Sequence, residues 1–219
     1  MGGGLGVLIN RSNIQDYDIY GKKKTSFANQ NTYQNTASLV ELFFGYIKKV
    51  NRVGLGVELS GRYHGFHQNY GSAMYKNAAG KQAISERECR SGIGMAGDVI
   101  LGFYITSQNF LYGTIGCGLD RFDYQFEDTD NSLFADHGIS SFKEGKNDTK
   151  KFFSIGLGLD HALTNKLKCG IKIRYISYGD TSFVLPGKSP GPTYDTYCNV
   201  EFNEKSNAVS ISVRVAYTF

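Results

Sequence analysis

Residues Ser206–Phe219, SNAVSISVRVAYTF, decide the fold. Val209, Ile211, Val213, Val215, Tyr217 and Phe219 alternate with Ala208, Ser210, Ser212, Arg214, Ala216 and Thr218. Neighbouring side chains of a strand point to opposite faces. This period of two therefore specifies a strand with one wholly apolar face and one small or polar face.

The same alternation recurs upstream. Leu5, Val7 and Ile9 oppose Gly4 and Gly6. Val40, Leu42, Phe44 and Tyr46 oppose Glu41 and Gly45, with Leu39 and Phe43 blurring that face. Val53, Leu55, Val57, Leu59 and Tyr63 oppose Gly54, Gly56, Glu58, Ser60 and Arg62. Ile93, Met95, Val99, Leu101, Phe103 and Ile105 oppose Gly94, Ala96, Asp98 and Gly102, while Leu111, Ile115, Cys117 and Leu119 oppose Thr114, Gly116, Gly118 and Asp120. Phe153, Ile155, Leu157 and Leu159 oppose Ser154, Gly156, Gly158 and Asp160; Leu167, Cys169, Ile171, Ile173 and Tyr175 oppose Lys168, Gly170, Lys172, Arg174 and Ile176. With the terminal segment this makes eight strands.

Short connections at Lys48–Arg52, Thr106–Asn109 and Thr164–Lys166 alternate with long ones at about 20–35, 68–91, 125–150 and 183–205. Long structureless loops are uncommon in compact soluble domains. Four of them at one end of an up-and-down meander match a transmembrane barrel with short periplasmic turns and long external loops. The expected fold is thus all-β: an eight-stranded antiparallel up-and-down transmembrane β-barrel, with residues 1–219 as a single domain.

Composition is compatible with this. The longest run made only of apolar residues and Gly is Met1–Ile9, about half a membrane-crossing helix, so helical spans are excluded. Gly 27, Tyr 15 and Phe 15 against Pro 3 favour strands in close contact. A net charge of +4 and a pI of 8.7 are too mild to imply a nucleic-acid partner. Mean hydropathy is only −0.31, as expected when apolar and polar faces alternate.

The two faces distinguish a membrane barrel from a soluble one. If the uninterrupted apolar faces meet lipid, the lumen receives Glu41, Glu58, Asp98, Asp120 and Asp160 together with Arg62, Lys172, Arg174 and Arg214. Such near-neutral pairing suits a narrow lumen, where an unpaired charge is costly. The glycines at 54, 56, 116, 118, 156 and 158 fall on the same face. They leave room for long Arg and Glu side chains to lie across the eight-stranded interior. Aromatic residues gather near strand ends (Tyr46, Tyr63, Phe103, Tyr104, Phe110, Tyr112, Phe122, Tyr124, Phe152, Phe153, Tyr175, Tyr178, Tyr217 and Phe219), a pattern read as two interfacial girdles.

With these features the chain resembles the small eight-stranded outer-membrane barrels of Gram-negative bacteria, the OmpA/OmpX-like and opacity-type surface proteins. The final strand ending in an aromatic residue carries the resemblance, with the Gly-rich opening GGGLGV. The resemblance implies location in the outer membrane and a leader removed ahead of Met1. It also implies that the barrel-assembly machinery reads a signal formed by Val215, Tyr217 and Phe219. Outer-membrane lipids, including lipopolysaccharide, are expected partners, with a host or extracellular ligand at the loops and a monomeric barrel. No cofactor is expected.

Candidate chemistry is sparse. Gly92-Ile93-Gly94-Met95-Ala96-Gly97 matches a dinucleotide fingerprint but precedes a period-two strand, not a helix. His161 beside a periplasmic turn lacks a Ser partner, and His137 with Ser140 or Ser141 has no periodicity to aim it, so no catalytic residue is assigned. His64 and His67 point to opposite faces of a strand and read as solvated rim residues. Glu127–Asn131 lacks the turn Gly and terminal Glu of a calcium loop, and no metal site is assigned. Cys117 and Cys169 fall on lipid-facing positions two strands apart, beyond disulfide reach. A loop disulfide between Cys89 and Cys198 and a pair of free thiols both remain open. Lys22–Lys24 and Lys150–Lys151 lie at the external loops, where contact with lipopolysaccharide phosphates and plain solvation are equally compatible with the sequence.

The expected function is a structural outer-membrane barrel with loop-mediated recognition or adhesion. A narrow porin-like channel is the alternative, and a lipid A-modifying enzyme ranks third. If the terminal aromatic residue is an assembly signal, deleting Phe219 impairs insertion in vivo, read as loss of the folded, heat-modifiable species from outer-membrane fractions.

Overall fold

The computed structural model describes residues 1–20, 23–26, 31–76, 82–128, 142–186 and 198–219. Its strands are β1 (Gly2–Tyr20), β2 (Lys23–Ser26), β3 (Asn31–Val50), β4 (Val53–Lys76) and β5 (Gln82–Tyr104), followed by β6 (Asn109–Asp128), β7 (Phe142–Ala162), β8 (Leu167–Tyr178), β9 (Thr181–Pro186) and β10 (Cys198–Tyr217). Eight of them form an antiparallel ring in the order β1-β3-β4-β5-β6-β7-β8-β10. The ring closes where β1 pairs with β10 from Gly2↔Ala216 to Tyr20↔Cys198. Closure removes the sheet edges, as a wall in lipid requires.

The turns at one end follow from local chemistry. Val50 pairs with Val53 around a two-residue turn in which Asn51 has φ 56°, a conformation that Asn tolerates well. In the β5–β6 connection, Thr106 Oγ1 accepts the backbone N–H groups of Gln108 and Asn109 at 3.2 and 3.0 Å. Thr164 does the same for Lys166 and Leu167 in the β7–β8 connection, at 3.2 and 3.0 Å. Such hydroxyl-closed turns need few residues.

The other end departs from the sequence reading. Much of the expected loop sequence is strand: β4 and β5 stay paired to Lys76↔Gln82, and β6 and β7 to Asp128↔Phe142. The alternation that marks a membrane strand weakens in these outer segments. Backbone pairing nevertheless continues. The 24 residues of β4 span about 80 Å along the strand, whereas a tilted crossing takes about 9–11 residues.

The wall divides as it leaves the membrane. Among the described residues, β3–β4 pairing stops at Leu39↔His64 and β7–β8 pairing at Phe152↔Tyr178. Above these points β4, β5, β6 and β7 form one sheet. On the other side, β1 and β10 carry the outer part of β3 together with β2 and β9. Three register shifts, two in β4–β5 and one in β5–β6, add local twist to the first sheet.

The outward residues of the lower barrel are apolar and uncovered: Leu42 is 70% exposed, Leu59 66% and Ile93 71%. A wall of this kind is stable only against lipid. Leu39 and Phe43, which blurred one face in the sequence, turn into the lumen.

The glycine ladder has a different occupant from the one expected. A Cβ at Gly54 would meet the Phe110 ring at 2.6 Å, one at Gly118 would overlap the Phe152 ring, and one at Gly158 would overlap the Tyr112 ring. At Gly116 it would meet the Asp98 carboxylate. Rings and a short acid, not long Arg and Glu chains, lie across these positions. Gly61 faces outward with nothing within 4 Å. Gly118→Leu should therefore cost about 3 kcal/mol or abolish refolding in detergent, whereas Gly61→Leu should refold like the parent protein; gel mobility with and without heating reads both.

Candidate functional site

Alternation places every second residue of each strand inside a closed ring too narrow for bulk water. Six of the resulting side chains join in a chain of alternating sign. Arg214 on β10 pairs with Glu58 on β4, and Lys172 on β8 reaches Glu58 at 3.0 Å and Asp98 on β5 at 2.8 Å. Arg174, two residues further along β8, reaches Asp98 at 2.6 Å and Glu41 on β3 at 3.3 Å. The cations come from β8 and β10 and the anions from β3, β4 and β5 on the opposite wall. The chain thus braces the barrel across its width.

Asp160 joins from below. Arg214 donates to the Tyr112 hydroxyl at 2.9 Å, which donates to Asp160 at 3.3 Å. Arg62 and Asp120 form a separate bidentate pair, with the Tyr178 hydroxyl donating to Asp120 at 2.6 Å. Lys172, Glu41 and Asp120 are among the most deeply buried side chains of the described residues.

A third group was missed in the sequence. Lys150 on β7 donates to Glu204 on β10 at 2.7 Å. Ser12 at 2.8 Å and Tyr124 at 2.6 Å also donate to that carboxylate. Lys150 is buried and points inward, so its placement at an external loop is corrected; Lys151 beside it is exposed. Extending the period-two count outward from Arg214 and Ser154 would have found Glu204 and Lys150. Both were hidden because those stretches read as loop.

The aromatic assignment is also corrected. Phe110, Tyr112, Phe122, Tyr124, Phe152 and Tyr178 are buried in the lumen, not at the membrane interfaces. They form two layers: Phe110 and Tyr112 with Ile100 at the turn end, and Phe122, Tyr124, Phe152 and Tyr178 at the outer end. The charges rest on these rings. The Arg62 guanidinium lies 4.1 Å from the Phe152 ring centre and that of Arg214 lies 3.7 Å from Phe43. Tyr46, Tyr63, Phe103, Phe153, Tyr175, Tyr217 and Phe219 do face outward.

His64 is corrected as well. It is fully buried, with Nε2 3.5 Å from Asp120 Oδ1, whereas His67 is exposed with Nε2 3.4 Å from Glu88. His161 contacts Asn109 at 2.8 Å. His137, Ser140, Ser141, Lys22 and residues 129–131 lie outside the described residues. The Cys198 side chain does too; Cys89 is buried in the lumen on β5, across the ring from β10. Cys117 is exposed on the outer wall and Cys169 partly so. Among the described residues no cluster of three or more His, Cys, Asp or Glu could hold a metal ion.

A closed ring with an apolar outer wall and a charged, aromatic-packed interior defines a transmembrane β-barrel. A family model described as the outer membrane protein beta-barrel domain matches residues 1–219, and the chain belongs to that family. Its place is the bacterial outer membrane. No curated protein matches it in sequence. Among solved structures it is similar to the protease OmpT from Escherichia coli, at 10% identity and a TM-score of 0.46 over 99% of this chain and 97% of that one. It is also similar to Ail of Yersinia pestis (12%, 0.31, 98% and 99%) and to Neisserial surface protein A (13%, 0.31, 94% and 96%). Likenesses this slight support no conclusion about activity.

Replacing Lys172 by Met leaves Glu58 and Asp98 each short of a partner inside the barrel. The expected loss of stability is about 3 kcal/mol, while Lys48→Met at an exposed turn should stay within about 0.5 kcal/mol. Urea unfolding from detergent or lipid vesicles measures both.

Proposed function

We propose that this chain is a non-catalytic surface barrel that recognises or adheres to an external partner through the sheets above the membrane, and that its braced wall supports membrane integrity. The observation that carries this reading is the continuation of paired strands well beyond the apolar wall, over a lumen filled with side chains. Strand pairing holds the outer segments in fixed register, which lowers the ordering cost of binding. The lumen contributes stiffness: its ion pairs link opposite walls, and its rings pack over the glycines.

A narrow channel is the competing reading, and planar-bilayer recording separates the two. No steady single-channel current is expected; a steady current altered by Arg214→Ala would overturn the plugged-scaffold reading. Recognition is tested by removing residues 70–87 and 127–143 from the hairpin ends. The shortened barrel should insert normally, while adhesion of expressing bacteria to host cells or extracellular matrix falls to that of cells lacking the protein. Undiminished adhesion would remove the case for the protruding sheets.

A further inference from the structure

The wall divides at two forks: β3 leaves β4 beyond Leu39↔His64, and β7 leaves β8 beyond Phe152↔Tyr178. Two phenol–carboxylate bonds cross from one side of this division to the other, in opposite directions. Tyr124, on β6 in the β4–β7 sheet, donates to Glu204 on β10 at 2.6 Å. Tyr178, the last residue of β8 on the β10 side, donates to Asp120 on β6 at 2.6 Å. All four side chains are buried.

Each carboxylate is also held by residues at a fork. Arg62 donates to both oxygens of Asp120, from Nε at 2.9 Å and from the guanidinium terminus, and His64 Nε2 lies 3.5 Å from the same carboxylate. Arg62 and His64 are the last two inward residues of β4 before β3 departs. Lys150, two residues beyond Phe152 on β7, donates to Glu204 at 2.7 Å and to Ser206 at 3.4 Å, so it spans the second fork. Phe122 connects the two groups: its ring centre lies 6.4 Å from that of Tyr124, 5.4 Å from Tyr178 and 6.3 Å from His64. Rings at these separations are in contact, so displacing one phenol disturbs the packing of the other.

We propose that Tyr124–Glu204 and Tyr178–Asp120 form a latch that closes the two external sheets over the lumen and releases both forks as one unit. A hydrogen bond to a charged group is stronger than a neutral one, and its loss leaves a buried carboxylate short of a donor. Backbone pairing does not supply this hold. Beyond the forks, Gly179 N–H donates to the Lys151 carbonyl at 3.2 Å and Asn35 Nδ2 donates to the His67 carbonyl, which are single bonds in place of a ladder. Opening the latch parts the sheets over Phe122, Phe152 and the two tyrosine rings. It thereby regulates the spacing of the surface proposed above for recognition, and in that respect rests on that reading.

Amide hydrogen exchange in the folded full chain, held in lipid nanodiscs, tests the latch with variants that remove one hydroxyl and keep the ring. Tyr124→Phe and Tyr178→Phe should each speed exchange about 10-fold at both forks, and the double variant about 100-fold. The reporting segments are residues 39–41 with 62–64 and residues 152–154 with 176–178. The β5–β6 pairing at residues 95–97 and 117–119 should keep its protection. Tyr112→Phe, which removes the hydroxyl bonded to Arg214 and Asp160 at the turn end, should leave both forks unchanged. Faster exchange at only one fork in each single variant, an equal loss along β5–β6, or forks that respond to neither tyrosine would overturn the proposal. The measurement needs no partner, so the two readings fail separately: unresponsive forks sink the latch alone, whereas adhesion that survives removal of the hairpin ends sinks recognition alone.

Discussion

The structure depends on one constraint: charges inside an eight-stranded ring surrounded by lipid have no bulk water to turn to, so each must meet its opposite across the lumen. The chain from Arg214 through Glu58, Lys172, Asp98 and Arg174 to Glu41 meets this requirement with side chains from five strands. A surface ion pair contributes little, but breaking one inside such a ring leaves a charge with no solvent to replace its partner. The same contacts that satisfy the charges thereby tie opposite walls together.

Glycine and aromatic residues make this bracing possible. A ring that carried a side chain at every inward position would be overfilled. Glycines at 54, 118 and 158 open space on one strand that Phe110, Phe152 and Tyr112 fill from another. The rings then line the polar layer, so Arg62 and Arg214 lie over aromatic faces while their donors reach carboxylates and a phenol hydroxyl. Wall, plug and charge network are one packing problem. The external sheets are a separate matter: they inherit their register from the barrel and then diverge where β3 leaves β4 and β7 leaves β8.

The lower barrel was legible because lipid on one side and a packed lumen on the other impose a strict contrast on successive residues. Above the membrane that contrast fades. The outer halves of β4 to β7 consequently read as loop, as do Lys150 and Glu204, and His64 reads as a solvated rim residue, although all three are buried. The aromatic residues were misread for a related reason. Position along a strand shows how near a ring is to the end, but only parity shows which way it points, and Phe152 and Phe153 are adjacent with opposite fates.

By itself, the sequence determined the eight strands of the ring, the short turns, the apolar outer wall and the signs of most lumen charges, because each is a property of local pattern. Only the tertiary structure decided which charges meet, which rings lie over which glycines and how far the wall continues past the bilayer. Those features depend on register and closure around the ring. Lys172 finds Glu58 from 114 positions away, and no local pattern encodes a contact made by curvature.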